Sequence, residues 1–192
     1  MGDLATDTTA EQTGPSTFIC DLSPDWEIWG PNGGYLAAVA MRAAGIASGR
    51  VRPASINAHF VGAGRSEPVE IAVEVNRETR VATSVTARVT QEGRPLLVAN
   101  VWGVDGDLDG LEHHTTLGPH DVPEPEELQS TEELLGDQVG PPRHPFWENI
   151  EQRPTEWIAD WENRQVSEPS TRAWVKFVPT ATFADPWVDA CR

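Results

Sequence analysis

The residues best placed to do chemistry are Asn32, Gly33 and Gly34, which open the run WGPNGGYLAAVAMRAAG. The first turn of a helix presents backbone N–H groups without intrahelical partners, together with the positive end of the helix dipole. Glycines at that point let a ligand carbonyl approach the backbone to hydrogen-bonding distance. Gly33 and Gly34 can therefore polarise an acyl carbonyl in the manner of an oxyanion hole, where one donor is worth about 3 kcal/mol in a working enzyme. The same glycines can instead serve only close packing of a helix on a sheet, and their spacing leaves both readings open.

Other chemistry-bearing residues are less concentrated. Asp25 and Glu27 lie beside Trp26 and Trp29, where an aromatic setting can raise a carboxyl pKa, or where both are simply solvated. Asn57 and His59 alternate with apolar residues of their strand and face either a groove or solvent. Arg65, Arg77, Arg80, Arg88 and Arg94 all fall in a strand-rich region, where they either form a local basic cluster for a phosphorylated ligand or are simply solvated. His113, His114 and His120 with Asp121 match no established metal-ligand spacing, so no metal is expected. There is no Gly-x-Ser-x-Gly elbow, which removes the usual serine hydrolase.

The elements that must position these residues follow from periodicity. Six alanines with Leu36, Val39, Met41 and Ile46, and Arg42 as the one charge, predict a helix over 33–48 capped by Asn32. It has almost no polar face, so it must be buried on nearly every side. The period then drops to two. ASINAHFV sets Ile56, Ala58 and Phe60 against Asn57 and His59, and PVEIAVEVN sets Val69, Ile71, Val73 and Val75 against Glu70 and Glu74. VATSVTARVT and RPLLVANVWGV follow, joined by a tight hairpin at Gln91–Arg94, with another at Asn76–Arg80. Preceded by the short strand TFICD, this order predicts an antiparallel sheet curled around one buried helix. That is an α+β hotdog fold.

WGPNGGYLAA, the RAAG that follows, SINAHFVGAGRSEPVEIAVEVNRETR and VTARVTQEGRPLLVANVWG together resemble acyl-CoA thioesterase II-like proteins of the double-hotdog superfamily. The likeness covers 17–104, and RAWVKFVPTATFADPWVDACR resembles, more loosely, the start of a second hotdog. The resemblance implies hydrolysis of an acyl-CoA or acyl-carrier thioester by general-base activation of water, without a cofactor. It also implies that the water-activating carboxylate lies on the helix of the second hotdog. Asp189 stands on the corresponding element about two turns too early, so the catalytic residues stay unassigned and the acid is expected beyond residue 192. The candidate substrate-binding residues are Asn32, Gly33, Gly34, Tyr35, His59 and Arg80. The alternative is a non-catalytic module that binds an acyl group or pairs with a subunit.

Charge narrows the partners. With 30 Asp and Glu against 14 Lys and Arg the net charge is −16, which argues against nucleic acid or an anionic membrane. No apolar run of about 18 residues is present to span a bilayer. Residues 1–16 read as a mobile polar tail, 17–104 as the first hotdog, 105–145 as an acidic Pro/Gly-rich linker with a weak helical island at Glu126–Leu135, and 146–192 as a truncated second hotdog. Truncation would leave Trp174, Phe177, Phe183 and Trp187 uncovered. Two widely separated cysteines without disulfide or metal spacing point to a reducing cytoplasm, and pairing of hotdog units to a homo-oligomer.

Overall fold

The computed structural model describes residues 1–106, 122–136, 144–160, 162–166, 170–178 and 184–191. Its frame is a helix, α2 (Gly33–Ser48), lying in a six-stranded antiparallel sheet. The strands are β1 (Glu11–Gly14), β2 (Thr17–Asp21), β3 (Arg52–Phe60), β4 (Pro68–Glu78), β5 (Ala82–Gln91) and β6 (Arg94–Val104), in the spatial order β1-β2-β4-β5-β6-β3. This is the helix-in-sheet α+β architecture that the change of period predicts.

The helix forms and stops where its sequence requires. The Asn32 side chain accepts from the Gly34 N–H at 2.8 Å, and Gly49 ends the helix in the left-handed region at φ 63°. Between the caps Val39, Ala40, Ala43 and Ala44 lose all exposure, because small side chains let the sheet close on the rod. The sheet answers with Val69, Ile71, Val85, Ala87, Val89, Leu97, Ala99 and Val101. The β5–β6 hairpin turns through Glu92 and Gly93, both at positive φ (50° and 75°), which is the two-residue geometry that matches strand twist.

Three expectations about this frame need correction. Residues 1–16 are no mobile tail. A short helix, α1 (Leu4–Asp7), leads into β1, and Leu4, Thr8 and Ala10 are buried. Arg42 reaches this segment through the Ala5 carbonyl and the Thr8 hydroxyl, so the lone charge of α2 is spent on the N-terminal strap. Ile56 and Phe60 occupy the predicted inward positions, yet both are exposed because β3 is an edge strand that, among the described residues, pairs with β6 alone. Val75 is exposed too, where a bulge at Val75/Arg77 breaks the β4–β5 register.

Beyond β6, the helical island resolves into a 3-10 turn (Pro125–Glu127) and α3 (Thr131–Leu135), the latter closed by a Ser130/Glu133 capping box. A separate two-stranded sheet pairs β7 (Ile150–Pro154) with β8 (Ala173–Phe177). The helical turn α4 (Pro186–Asp189) follows. Trp187 is buried, contrary to expectation. Its ring lies over Gly45 of α2, where an added Cβ would stand 2.6 Å from it, and its indole N–H donates to the Arg50 carbonyl at 2.9 Å. Phe177 is half-buried against Trp26, Trp174 is exposed, and Phe183 lies outside the described residues.

Candidate active site at the opening of the buried helix

The segment that delivers the chain to α2 is fixed from several sides. Trp26 stacks on Tyr35 with ring centroids 5.8 Å apart, and Phe146 and Phe177 meet it edge-on. Asn32 N–H donates to the Trp26 carbonyl and Phe146 N–H to that of Glu27. Asn149, fully buried, donates to the Asp25 carbonyl at 2.7 Å and accepts from Gly2 N–H at 2.6 Å. The loop before the helix is therefore held by residues 2 and 149, far from it in sequence.

A second loop, residues 61–67, lies across this entrance. Gln91 clamps it. The Gln91 Nε2 donates to the carbonyls of Arg65 and Glu67 at 2.9 and 3.1 Å, and its Oε1 accepts from Arg65 N–H. Ser66 closes the gap by donating a short hydrogen bond to the Glu27 carboxylate. Gly30 needs its φ of 154° here, and an added Cβ would stand 3.0 Å from the Gly64 carbonyl oxygen.

Between the loops sits the helix start. Gly34 N–H is taken by the Asn32 cap and Leu36 N–H by the Asn32 carbonyl. That leaves the N–H groups of Gly33 and Tyr35 without a partner among the described residues, Gly33 being the one at the mouth of the helix. The Phe60 ring covers Gly33, and a Cβ on that glycine would lie 3.1 Å from it. Phe60 and Val61 are exposed, and Trp29 is 93 % exposed beside the His144 ring. A free donor at a positive helix end, framed by apolar side chains, can receive a carbonyl with an apolar tail.

The candidate residues divide accordingly. Asn32, Gly33 and Gly34 form the entrance, and His59 is exposed on the neighbouring strand beside Phe60. Tyr35 is a core residue. Its hydroxyl donates to the Asp7 carbonyl at 2.7 Å and accepts from Ser23 N–H at 3.0 Å, and burial pushes the phenol well above its usual range. Arg80 lies in the β4–β5 turn, where its carbonyl accepts from Arg50 just past the other end of α2, about 24 Å of helix away. Arg65 is the cation near the entrance, and it already holds Glu67 and Glu92. Asp25 and Glu27 are both engaged, Asp25 by the Met1 amino group at 3.2 Å. No cluster of three potential ligands exists among the described residues, and His113, His114, His120 and Asp121 lie outside them.

Sequence reasoning passed over Phe60 as a site residue and Gln91 as a clamp. The QEGR hairpin marked Gln91 as a turn residue, but nothing local shows that its amide reaches residues 24 to 26 positions away.

Comparison with known proteins settles the family of this unit. The sequence model of acyl-CoA thioesterase N-terminal domains matches residues 22–104. Residues 22–104 belong to that domain family. The acyl-CoA thioesterase N-terminal domain thus contains α2 and β3–β6, and β2 enters it from the N-terminal side. Solved structures share the fold over the whole chain. A protein designated a thioesterase II from Thermobifida fusca YX aligns with TM-score 0.80 and 22 % identity over 100 % of this chain and 70 % of its own. A conserved hot dog protein from Alicyclobacillus acidocaldarius aligns with 0.77 and 20 % over 98 % and 68 %. The tesB protein of Mycobacterium avium subs paratuberculosis aligns with 0.74 and 18 % over 98 % and 65 %. The chain thus spans about two thirds of the length of these structures. No curated protein matches the sequence significantly.

Proposed function

We propose that this chain takes part in hydrolysis of an acyl thioester, with acyl-CoA as the substrate class and the entrance of α2 as the acyl-carbonyl site. The family of residues 22–104 and the unpartnered Gly33 N–H support this reading, and the second observation carries it. Hydrolysis requires water to attack the carbonyl carbon while a base accepts its proton. The tetrahedral oxyanion then collapses with loss of the thiol. Gly33 N–H is suited to hold the oxyanion. Asp25 and Glu27 are already bonded, so we place the base outside residues 22–104. In this scheme 17–104 is the first hotdog, 105–145 a linker and 146–192 the opening of a second.

Two further assignments accompany the reading. The open edge of β3 pairs with its counterpart in a second copy, and the free, buried thiol of Cys20 suits a reducing cytoplasm. The test is thiol release from acyl-CoAs of graded chain length, run beside calorimetric binding of the same compounds. Binding with little turnover is expected of these residues alone. Rapid turnover would remove the base from where we place it, and absence of binding would sink the acyl-carbonyl site. The second reading, a module that binds without hydrolysing, is favoured by the engagement of both entrance carboxylates, and it predicts binding that no added subunit converts to turnover.

A further inference from the structure

The charge of this molecule is divided unevenly over its sheet. No residue of β3, β5 or β6 is Asp or Glu, although the chain carries 30 of them. Arg52, Arg77, Arg80, Arg88 and Arg94 are exposed and hold no carboxylate among the described residues. These arginines stay unpaired although acids outnumber Lys and Arg by about two to one. Elsewhere Arg50, Arg65, Arg153 and Lys176 each hold a carboxylate, Arg42 bonds the Ala5 carbonyl and Thr8 hydroxyl, and Arg172 holds no carboxylate among the described residues.

Three of the five stand on one surface, the side of the sheet opposite α2. Register fixes the rows across it. Arg52 is opposite Val104, and Ser55, Trp102, Ser84 and Arg77 form the next row. Asn57, Asn100, Thr86 and Glu74 form the third, and His59, Val98, Arg88 and Ala72 the fourth. Trp102, 39 % exposed, thus shares its row with Arg77 two strands away, has Arg52 in the next row, and has Arg88 two rows along on β5. The polar centre is already ordered, since Asn76 donates to Thr86 at 2.8 Å and Thr86 to Asn100 at 2.9 Å. The carboxylates on this side stand off β3, β5 and β6: Glu70 and Glu74 on β4 at the border, and Asp21 and Glu11 farther out on β2 and β1.

We propose that the outer face of β5, β6 and β3 docks an acidic protein surface. Free arginines around a part-exposed tryptophan, on an uncharged polar floor, have the composition of a protein interface. A nucleic acid presents charge continuously along its length and would meet Glu70 and Glu74 as well as the net −16. A protein partner can confine its carboxylates to the positions opposite Arg52, Arg77 and Arg88. This inference is independent of the thioester reading.

The experiment is fluorescence anisotropy of a labelled oligoglutamate titrated with the full chain at low salt, beside an oligolysine and single-stranded DNA of equal length. Oligoglutamate is expected to bind, to be released by added salt, and to lose at least about tenfold in affinity with Arg77→Glu or Arg88→Glu. Arg88→Lys should retain binding, and melting curves should be unchanged because all three arginines are exposed. No binding by the unmodified chain would overturn the proposal, as would equal affinity in Arg88→Glu. DNA binding as tight as oligoglutamate would make the face a general polyanion surface. Self-association removed by Arg88→Glu in sedimentation would assign it to a second copy, and either result refutes the proposal.

Discussion

Tyr35 is the chain's one tyrosine, so its ionisation can be read without interference. Burial raises its pKa above the ordinary phenol range near 10, only partly offset by the Ser23 N–H. A raised folded-state pKa contributes stability that is complete below about pH 10 and is lost as pH rises further. Absorbance near 295 nm should therefore stay flat through the usual phenol titration and rise only with unfolding. A normal titration in the folded state would show that the hydroxyl is not enclosed. Tyr35→Phe should cost about 1–3 kcal/mol in a denaturant melt, because Ser23 N–H and the Asp7 carbonyl lose their partner. Gly33→Ala belongs at the same scale but reads differently. Its Cβ presses on an exposed ring that can yield, so melting should move little while acyl-CoA binding weakens. The Asn32 cap was legible from its neighbours. The Tyr35 hydrogen bonds were not, since their partners lie 12 and 28 residues away.

At the scale of elements, legibility tracked the density of the apolar pattern. The rod 33–48 and the hairpin at Gln91–Arg94 declare themselves through composition and turn chemistry. The N-terminal strap does not, because Leu4, Thr8 and Ala10 are isolated in a polar stretch, and it takes the assembled core to bury Leu4 and Ala10 and the Arg42 side chain to satisfy Thr8. For α4 the error ran the other way. Its tryptophan was expected to lack cover, yet Gly45 provides a flat place on α2 that no local pattern announces. Trp187→Ala should therefore cost about 3 kcal/mol in thermal or denaturant unfolding, through lost packing and the Arg50 hydrogen bond. Trp174→Ala, on an exposed part of β8, should cost far less. Equal effects from the two would mean that α4 does not dock on α2.

For the whole molecule, the two edges of the sheet are not alike. β1 is a short strand of four residues, whereas β3 runs for nine with Ile56 and Phe60 partly uncovered. A long edge with apolar side chains invites another strand. An antiparallel pairing of two β3 strands about Ile56 sets Arg52 against Phe60, never arginine against arginine. Each copy also carries −16, so the pair forms against mutual repulsion that salt screens. Sedimentation velocity should therefore show a dimer strengthened by added salt, and Ile56→Lys should dissociate it by placing a charge at the seam. Docking of an acidic partner on the outer face has the opposite salt dependence, because there attraction is what salt screens. The two surfaces share β3, yet one measurement separates them: a dimer that weakens with salt cannot be the β3 pair.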